Sequence, residues 1–411
     1  MRYVVLGSSA AGVSGVRELR KIDKEAEIIL VSKDEDIYSR CILHHYLSNT
    51  RDKKGISFVE DNFETLYNVI WKKGTTCKGV DPAAKTVLLE GPDGEETLSY
   101  DKLLIATGSH TFIPPIPNIK EAKNVIGFRN LEDIEVIKEI SQTAKHIVIM
   151  GAGLVGLDCA VGLIESGKGA VIVEMAGWPL SKQLDEKAAK VYMEALKAHG
   201  VEQYYGTGIK EAKLNEAGEI ESLLLTDGTT LPCDYLIVTA GVRANVEFLE
   251  GSDIETGRFG LIYDETGKTS NDDVYGAGDV SGLRPIWPVA VKEGMIAASN
   301  MAGVPRKMTD FFASKSTMNF FGIPTMSLGQ VEPEEGDTVE MEEKNGMYKK
   351  IVHQDGKIKG AILQHDLAYG GILQQLIAHK IDISKVKKPV FDIDYSDFFH
   401  MKENFEFYYN E

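Results

Sequence analysis

Three groups of residues in this 411-residue chain have types and spacing that could do chemistry. The first is Gly151-Ala152-Gly153-Leu154-Val155-Gly156, a full G-x-G-x-x-G turn. In such a turn the first glycine allows a tight bend and the second lets backbone approach a pyrophosphate. The third lets helix and strand pack closely, with the helix N-terminus facing the anion. Glu174 closes the run Val171-Ile172-Val173, 23 residues after Gly151. An acid at that distance accepts hydrogen bonds from an adenosine ribose diol and repels a 2′-phosphate, and no arginine cluster follows it, so NAD(H) is favoured over NADP(H). The second group is Gly7-Ser8-Ser9-Ala10-Ala11-Gly12, with Ser9 at the middle glycine position and Ser32-Lys33-Asp34 where an acid would be expected. A serine there still lets backbone amides reach phosphate, and its hydroxyl can donate as well. The third is Cys41, in Tyr38-Ser39-Arg40-Cys41-Ile42-Leu43-His44-His45. As a thiolate beside Arg40 and a helix N-terminus it would cycle through sulfenate or a mixed disulfide; as a thiol it is inert packing. His44 and His45 are either proton donors or surface and packing residues.

The elements that must hold these groups repeat along the chain. Each glycine turn follows a short apolar strand (residues 3–6 and 147–150) and precedes a helical pattern (Val13 to Lys21, and Leu157 to Ser166). Each unit also closes alike: Asp93-Gly94 leads to a buried strand ending Ala106-Thr107-Gly108, and Asp227-Gly228 to one ending at Gly241. A hairpin that returns the chain to a buried strand explains both. Two copies of one dinucleotide-binding unit therefore follow each other. Beyond them come Thr269 to Asp279, a helix pattern from Pro288 to Met301, and a tail of different texture. In the tail, strands at Thr317 to Phe321, Tyr348 to Val352 and Ile358 to Leu363, with a helix near Gly370 to His379, suggest a smaller α+β domain.

Composition excludes several classes. With 45 basic and 62 acidic residues the formal charge is −17, which opposes nucleic acid and anionic membrane surfaces as partners. No apolar run approaches the ~18 residues that span a bilayer. The N-terminus enters a strand at once, so a cytoplasmic protein is expected. Cys41, Cys77, Cys159 and Cys233 lie far apart, without C-x-x-C, which excludes clustered thiolate ligation and a redox dithiol; no metal site is expected.

Together these motifs resemble the FAD-dependent pyridine nucleotide(-disulfide) oxidoreductases over nearly the whole chain. The look is nearest to NADH:rubredoxin and ferredoxin reductases, nitrite reductase flavin domains, NADH oxidases and coenzyme A disulfide reductases. The resemblance implies an α/β fold of two Rossmann-like domains, binding FAD and NAD, plus a C-terminal α+β interface domain. The expected boundaries are 1–112 with 243–310 for FAD, 113–242 for NAD, and 311–411 for dimerisation or partner contact. It implies FAD contacts at Gly7, Ser9, Ala10, Ala11, Gly12, Ser32, Lys33, Arg40, Val80, Ala106, Thr107, Gly108, Arg129, Gly278, Asp279, Trp287 and Pro288. Asp279, in Val274-Tyr275-Gly276-Ala277-Gly278-Asp279, would bond the ribityl chain. NAD contacts would fall at Gly151, Gly153, Leu154, Val155, Gly156, Asp158, Glu174 and Gly241, with Asp158 where relatives carry glutamate.

The implied activity is electron transfer between NAD(H) and a small iron–sulfur carrier of rubredoxin or ferredoxin type. Hydride would pass between nicotinamide C4 and flavin N5. Two other roles stand beside it. Cys41 could serve a thiol-dependent NADH oxidase, peroxidase or coenzyme A disulfide reductase, although Ile42 stands where those enzymes have glycine. Or the chain is the flavin subunit of a larger complex. Its aromatic end (Phe391, Tyr395, Phe398, Phe399, Phe405, Phe407, Tyr408, Tyr409) would then meet a partner, or else form a homodimer interface.

Overall fold

The structure, a computed structural model, describes residues 1–309, 312, 314–404 and 406–409, with side chains except at 399, 400 and 407–409. The chain divides into two compact units. The first comprises Met1–Pro115, Val125–Thr143 and Val238–Thr309; the second comprises Ile116–Asn124, Ala144–Ile237 and Asp310–Glu411.

The first unit is built on a five-stranded sheet in the order Val274–Gly276, Lys102–Ile105, Arg2–Leu6, Glu27–Val31, Val69–Lys72, every pair parallel. A parallel sheet covered on both faces needs strands apolar on both sides. Accordingly Val4, Val5, Leu6, Leu103, Leu104 and Ile105 are all buried. One face carries the helix Ala10–Ile22, crossed by the helix Trp287–Met301. Small residues let these helices meet backbone to backbone: a Cβ on Gly294 would stand 2.1 Å from the Ala11 carbonyl oxygen. The other face packs on the antiparallel strands Thr76–Asp81, Thr86–Gly91 and Gly94–Ser99, through Val80, Val87 and Leu89.

Arg20 fastens the far end of this layer. Its guanidinium is buried and donates to five carbonyls, those of Tyr67, Asp23, Lys24, Ala26 and Asn68, at 2.7 to 3.1 Å. The end of the first helix, the loop after it and the segment leading to Val69–Lys72 thereby share one set of planar donors.

In the second unit the parallel strands Glu202–Tyr205, Val171–Glu174 and Ile147–Met150 continue to Tyr235–Val238. The helix Leu154–Glu165 follows the second glycine turn. From Lys315 onward the chain forms an antiparallel sheet in the order Lys315–Phe320, Ile323–Gly329, Lys357–Gln364, Met347–Gln354, Thr338–Lys344, with helix Gly370–Ala378 against it. This sheet meets the helix Glu186–Ala198 through a polar seam. Tyr192 Oη donates to Thr325 Oγ1 (2.6 Å), Tyr348 Oη to Asp185 (2.7 Å), and buried Lys350 pairs with Asp185 (3.0 Å). The expected C-terminal sheet and the nucleotide half thus belong to one compact unit. Of the aromatic end, Phe391 and Phe398 pack against this sheet's apolar cluster and Tyr395 is exposed. Phe405 and the side chains of Phe399, Phe407, Tyr408 and Tyr409 lie outside the described residues.

Replacing Arg20 by alanine leaves five carbonyls, that of buried Ala26 among them, without this donor, so Arg20→Ala should cost about 3 kcal/mol of stability. Lysine, a single point charge, should not restore it. Urea denaturation of both variants checks this.

Candidate functional site

In the first unit the strand Arg2–Leu6 runs into Gly7, whose φ of 109° lies in the left-handed half of the map. A Cβ on Gly7 would stand 2.2 Å from the Ala106 carbonyl oxygen, and one on Gly12 would stand 1.8 Å from that of Gly7. Both outer glycines are therefore fixed by backbone contact. The middle position is looser: Ser9 is partly exposed and caps the helix Ala10–Ile22 without any side-chain hydrogen bond to it. The amides of the first turn, at Ala10, Ala11 and Gly12, lack intrahelical partners by construction. Beside them the Ser8 hydroxyl is buried and has no hydrogen-bond partner among the described residues. An orphaned buried hydroxyl is uncommon and fits a site built around an absent acceptor.

Three further segments converge on this turn. Ala106 touches Gly7, as above. Thr107 and Gly108 are held by Asn245, which donates to the Thr107 carbonyl (2.8 Å) and, through its own amide, to that of Gly108 (3.0 Å). Gly278 would place a Cβ 3.1 Å from that of Ala11. Next to it Asp279 pairs with Arg129 at 2.8 Å, and Arg129 also donates to the Ser109 carbonyl and hydroxyl at 2.6 Å. The helix Trp287–Met301 opens with Trp287, edge-on to Phe58 at 4.8 Å, and the exposed Pro288, which suits a first helical turn.

Other expected residues are occupied elsewhere. Ser32 is buried, donating to the Asp34 carbonyl (2.6 Å) and accepting from Trp71 (2.8 Å). Lys33 pairs with Glu132 on the surface. The Val80 side chain packs in the apolar cluster under the antiparallel strands. Asn245 and Ser109 escape notice in the sequence, because each acts through a contact with residues distant in the chain.

Cys41 is exposed and lies in a single 3-10 turn, Arg40–Ile42; the α-helical turn Leu43–Leu47 begins after it. Arg40 directs its guanidinium to Asp34 (2.7 Å) and stacks over Tyr38. Burial, with His45 and Arg51 nearby, lowers the His44 imidazole to about 4, so it is neutral at pH 7.

The second turn shares the plan. Gly151 has φ 107°, and Gly153 begins the helix Leu154–Glu165 without a side-chain cap. Glu174 braces this turn: its carboxylate accepts from the amides of Ala152 (2.7 Å) and Ala176 (2.8 Å). The Ala152 carbonyl in turn accepts from Leu180 (2.8 Å), a buried residue held at φ 57°. Val155 is exposed and Gly156 is buried against the unit. Asp158, in the first turns of the helix and hemmed in by protein, has its carboxyl pushed up to about 8 by burial. Gly241, in the first unit, has φ 115° and accepts from the Phe112 amide. Among the described residues no group of three or more His, Cys, Asp or Glu side chains could hold a metal.

Two helix N-termini without side-chain caps, each behind a tight glycine turn on a parallel sheet, have the arrangement that can accept a dinucleotide phosphate. Residues 1–294 match the family described as Pyridine nucleotide-disulphide oxidoreductase. The chain belongs to this family. As a pyridine nucleotide-disulphide oxidoreductase it is an NAD(H)-dependent flavin enzyme, and its cofactors are FAD and NAD(H). Residues 315–381 match the Rubredoxin NAD+ reductase C-terminal domain.

Among its relatives, the NADH-dependent phenylglyoxylate dehydrogenase subunit epsilon of Aromatoleum evansii is 30% identical over 94% of this chain and 93% of its own length. The assimilatory nitrate reductase electron transfer subunit of Bacillus subtilis is 29% identical over 95% of this chain, which spans only 51% of that relative. The chain spans a similar 48% of the Bacillus subtilis nitrite reductase. The NADH:rubredoxin oxidoreductase of Clostridium acetobutylicum shares the fold, with a TM-score of 0.76, 22% identity, and 94% and 97% of the two chains covered. A NAD-dependent persulfide reductase from A. fulgidus does so at 0.81, with 23% identity over 93% and 77%. No helix among the described residues is long and apolar enough to cross a membrane.

The raised Asp158 carboxyl gives a pH test. Its value exceeds the unfolded one, so the folded state holds the extra proton between about pH 4 and pH 8, and stability declines as pH rises through that window. Asp158→Asn cannot ionise, so its melting temperature relative to wild type should rise from pH 5 to pH 8. A difference that does not move with pH refutes the assignment.

Proposed function

We propose that this oxidoreductase moves electrons between NAD(H) and a small iron–sulfur carrier of rubredoxin or ferredoxin type. The observation that carries this is the C-terminal match to the rubredoxin NAD+ reductase domain, on a chain with no C-x-x-C dithiol. FAD, when bound, supplies the redox chemistry, taking up a hydride and releasing single electrons.

The chain's own residues bind and orient. The amides around Ser9, Ala10, Ala11 and Gly12 face the FAD pyrophosphate, with Gly7 making the bend. Asp279 takes the ribityl hydroxyls, Gly278 permits close approach, and Arg129 offsets the charge of Asp279. Beside their own contacts, Ser32, Lys33, Arg40 and the Val80 backbone would border the adenosine end, while Ala106 to Gly108, Trp287 and Pro288 would wall the ring end. In the second unit, the amides of Gly153, Leu154, Val155 and Gly156 face the NAD pyrophosphate behind the bend at Gly151. Glu174 keeps lone pairs for the adenosine ribose after bracing its turn. Asp158, protonated near neutral pH, would offer the nicotinamide carboxamide both a donor and an acceptor. The same groups serve either direction of flow.

One observation favours a different assembly: the chain spans 93% of a relative named as a dehydrogenase subunit. In that setting the protein would be the flavin subunit of a larger complex, and the carrier would be a cluster in a neighbouring subunit. A thiol mechanism at Cys41 has less support, because Arg40 is committed to Asp34 and the α-helical turn starts past the sulfur.

Anaerobic titration with dithionite, then NADH, followed by flavin absorbance, should end at two electrons per FAD, unchanged in Cys41→Ser. Four electrons, falling to two in that variant, would overturn the proposal. Native mass measured alone and with rubredoxin or candidate subunits separates the carrier from the complex. Glu174→Ala should weaken NADH binding about tenfold, the loss of one charged hydrogen-bonding site, and narrow the preference over NADPH.

A further inference from the structure

The helix Trp287–Met301 is made almost wholly of small and apolar residues on its buried side, yet it buries a carboxylate. Glu293 is 6% exposed and sits on the same side as Ala290 and Ala297, next to Gly294, whose Cα faces the Ala11 carbonyl. A carboxylate in such a place is costly unless hydrogen-bonded. Arg284 lies 3.6 Å from Glu293 Oε1, too long for a hydrogen bond between these atoms. The strong contacts are instead to groups around one peptide. Glu293 Oε2 accepts from the Gly278 amide at 2.8 Å and from the Tyr263 hydroxyl at 2.8 Å. Tyr263 also lies 3.2 Å from the Gly278 carbonyl.

Gly278 is the residue that places Asp279. Its φ of 82° turns the chain so that Asp279 meets Arg129, and its Cα lies between Ala11 of the first glycine turn and Ala290 of the helix. The peptide entering this bend has its amide held by Glu293, and the Tyr263 hydroxyl stands at the Gly278 carbonyl. Packing alone does not require an acid there, since an apolar side chain would fill the same volume without desolvation. The buried Gly278 amide does require an acceptor, and one held in place keeps the bend in a single orientation.

We propose that Glu293, aided by Tyr263, is a positioning residue for the FAD site: it holds the Gly278 amide and thereby aims Asp279. This rests on the FAD assignment and is independent of which carrier accepts the electrons. The essential property is acceptance of the amide hydrogen bond, which glutamine can supply and alanine cannot.

The test uses the holoprotein as purified, diluted so that released FAD regains its fluorescence. Glu293→Ala should release FAD on the order of 10- to 100-fold faster, as expected for losing two hydrogen bonds to a charged acceptor. Glu293→Gln should stay within about threefold of wild type, and Tyr263→Phe should fall between, about three- to tenfold faster. NADH binding at the second unit, measured by fluorescence, should be unchanged in all three, which reports that the chain is folded. Purification of Glu293→Ala without FAD but with intact NADH binding supports the proposal equally. Wild-type release from Glu293→Ala overturns it, as does equal loss in Gln and Ala, which would make charge rather than acceptance the determinant. Should the alanine variant fail to fold, wild-type release from Tyr263→Phe overturns it as well.

Discussion

Everything in the first unit depends on one constraint, that the helix Ala10–Ile22 must touch backbone on two sides with no side chain between. On the strand side Gly12 meets the Gly7 carbonyl, and on the helix side Gly294 meets the Ala11 carbonyl. Van der Waals contact at these distances leaves no room for a methyl group. Seated this way, the helix brings its first amides to the strand ends. The same seating draws Gly278 to Ala11 and closes Ala106 over Gly7. The site is thus a by-product of close packing rather than an addition to it.

Polarity is handled by a second rule: carboxyl groups around the glycine turns meet donors on neighbouring segments. Glu174 spends part of its capacity on the amides of Ala152 and Ala176, Asp279 faces Arg129, and Glu293 faces the Gly278 amide. Burial, for its part, pushes the Asp158 carboxyl up to about 8.

Local features were legible in the residues. The two glycine turns, the strand before each, and Glu174 at its spacing all follow from contacts within about 25 positions of each other. Helix starts were less so: Val13 and Leu157 were expected, whereas the helices open at Ala10 and Leu154. The small residues of the first turn resemble loop, and only the backbone contact at Gly12 explains why they are helical. The segment at Cys41, expected to begin a helix, forms a 3-10 turn with Arg40 drawn away to Asp34. Partnerships such as Arg129 with Asp279, 150 positions apart, or Asp185 with Lys350, leave no periodic trace. Glu293 did leave a faint one, as an acid inside a run of alanines and glycine, but its meaning required the Gly278 amide.

The order of strands in the first sheet has a consequence for how the chain is made. Its edge strand, Val274–Gly276, and the covering helix Trp287–Met301 lie about 170 residues beyond Lys102–Ile105. During synthesis at about 5 to 20 residues per second, the N-terminal strands therefore wait many seconds with one edge and one helix face uncovered. The nucleotide strands of the second unit, contiguous from Ile147 to Tyr205, can pair within that interval. A ribosome-bound chain cut near residue 240 would carry a nascent second cradle beside an unfinished first one, with its exposed sheet edge the point most open to chaperones and to misassociation.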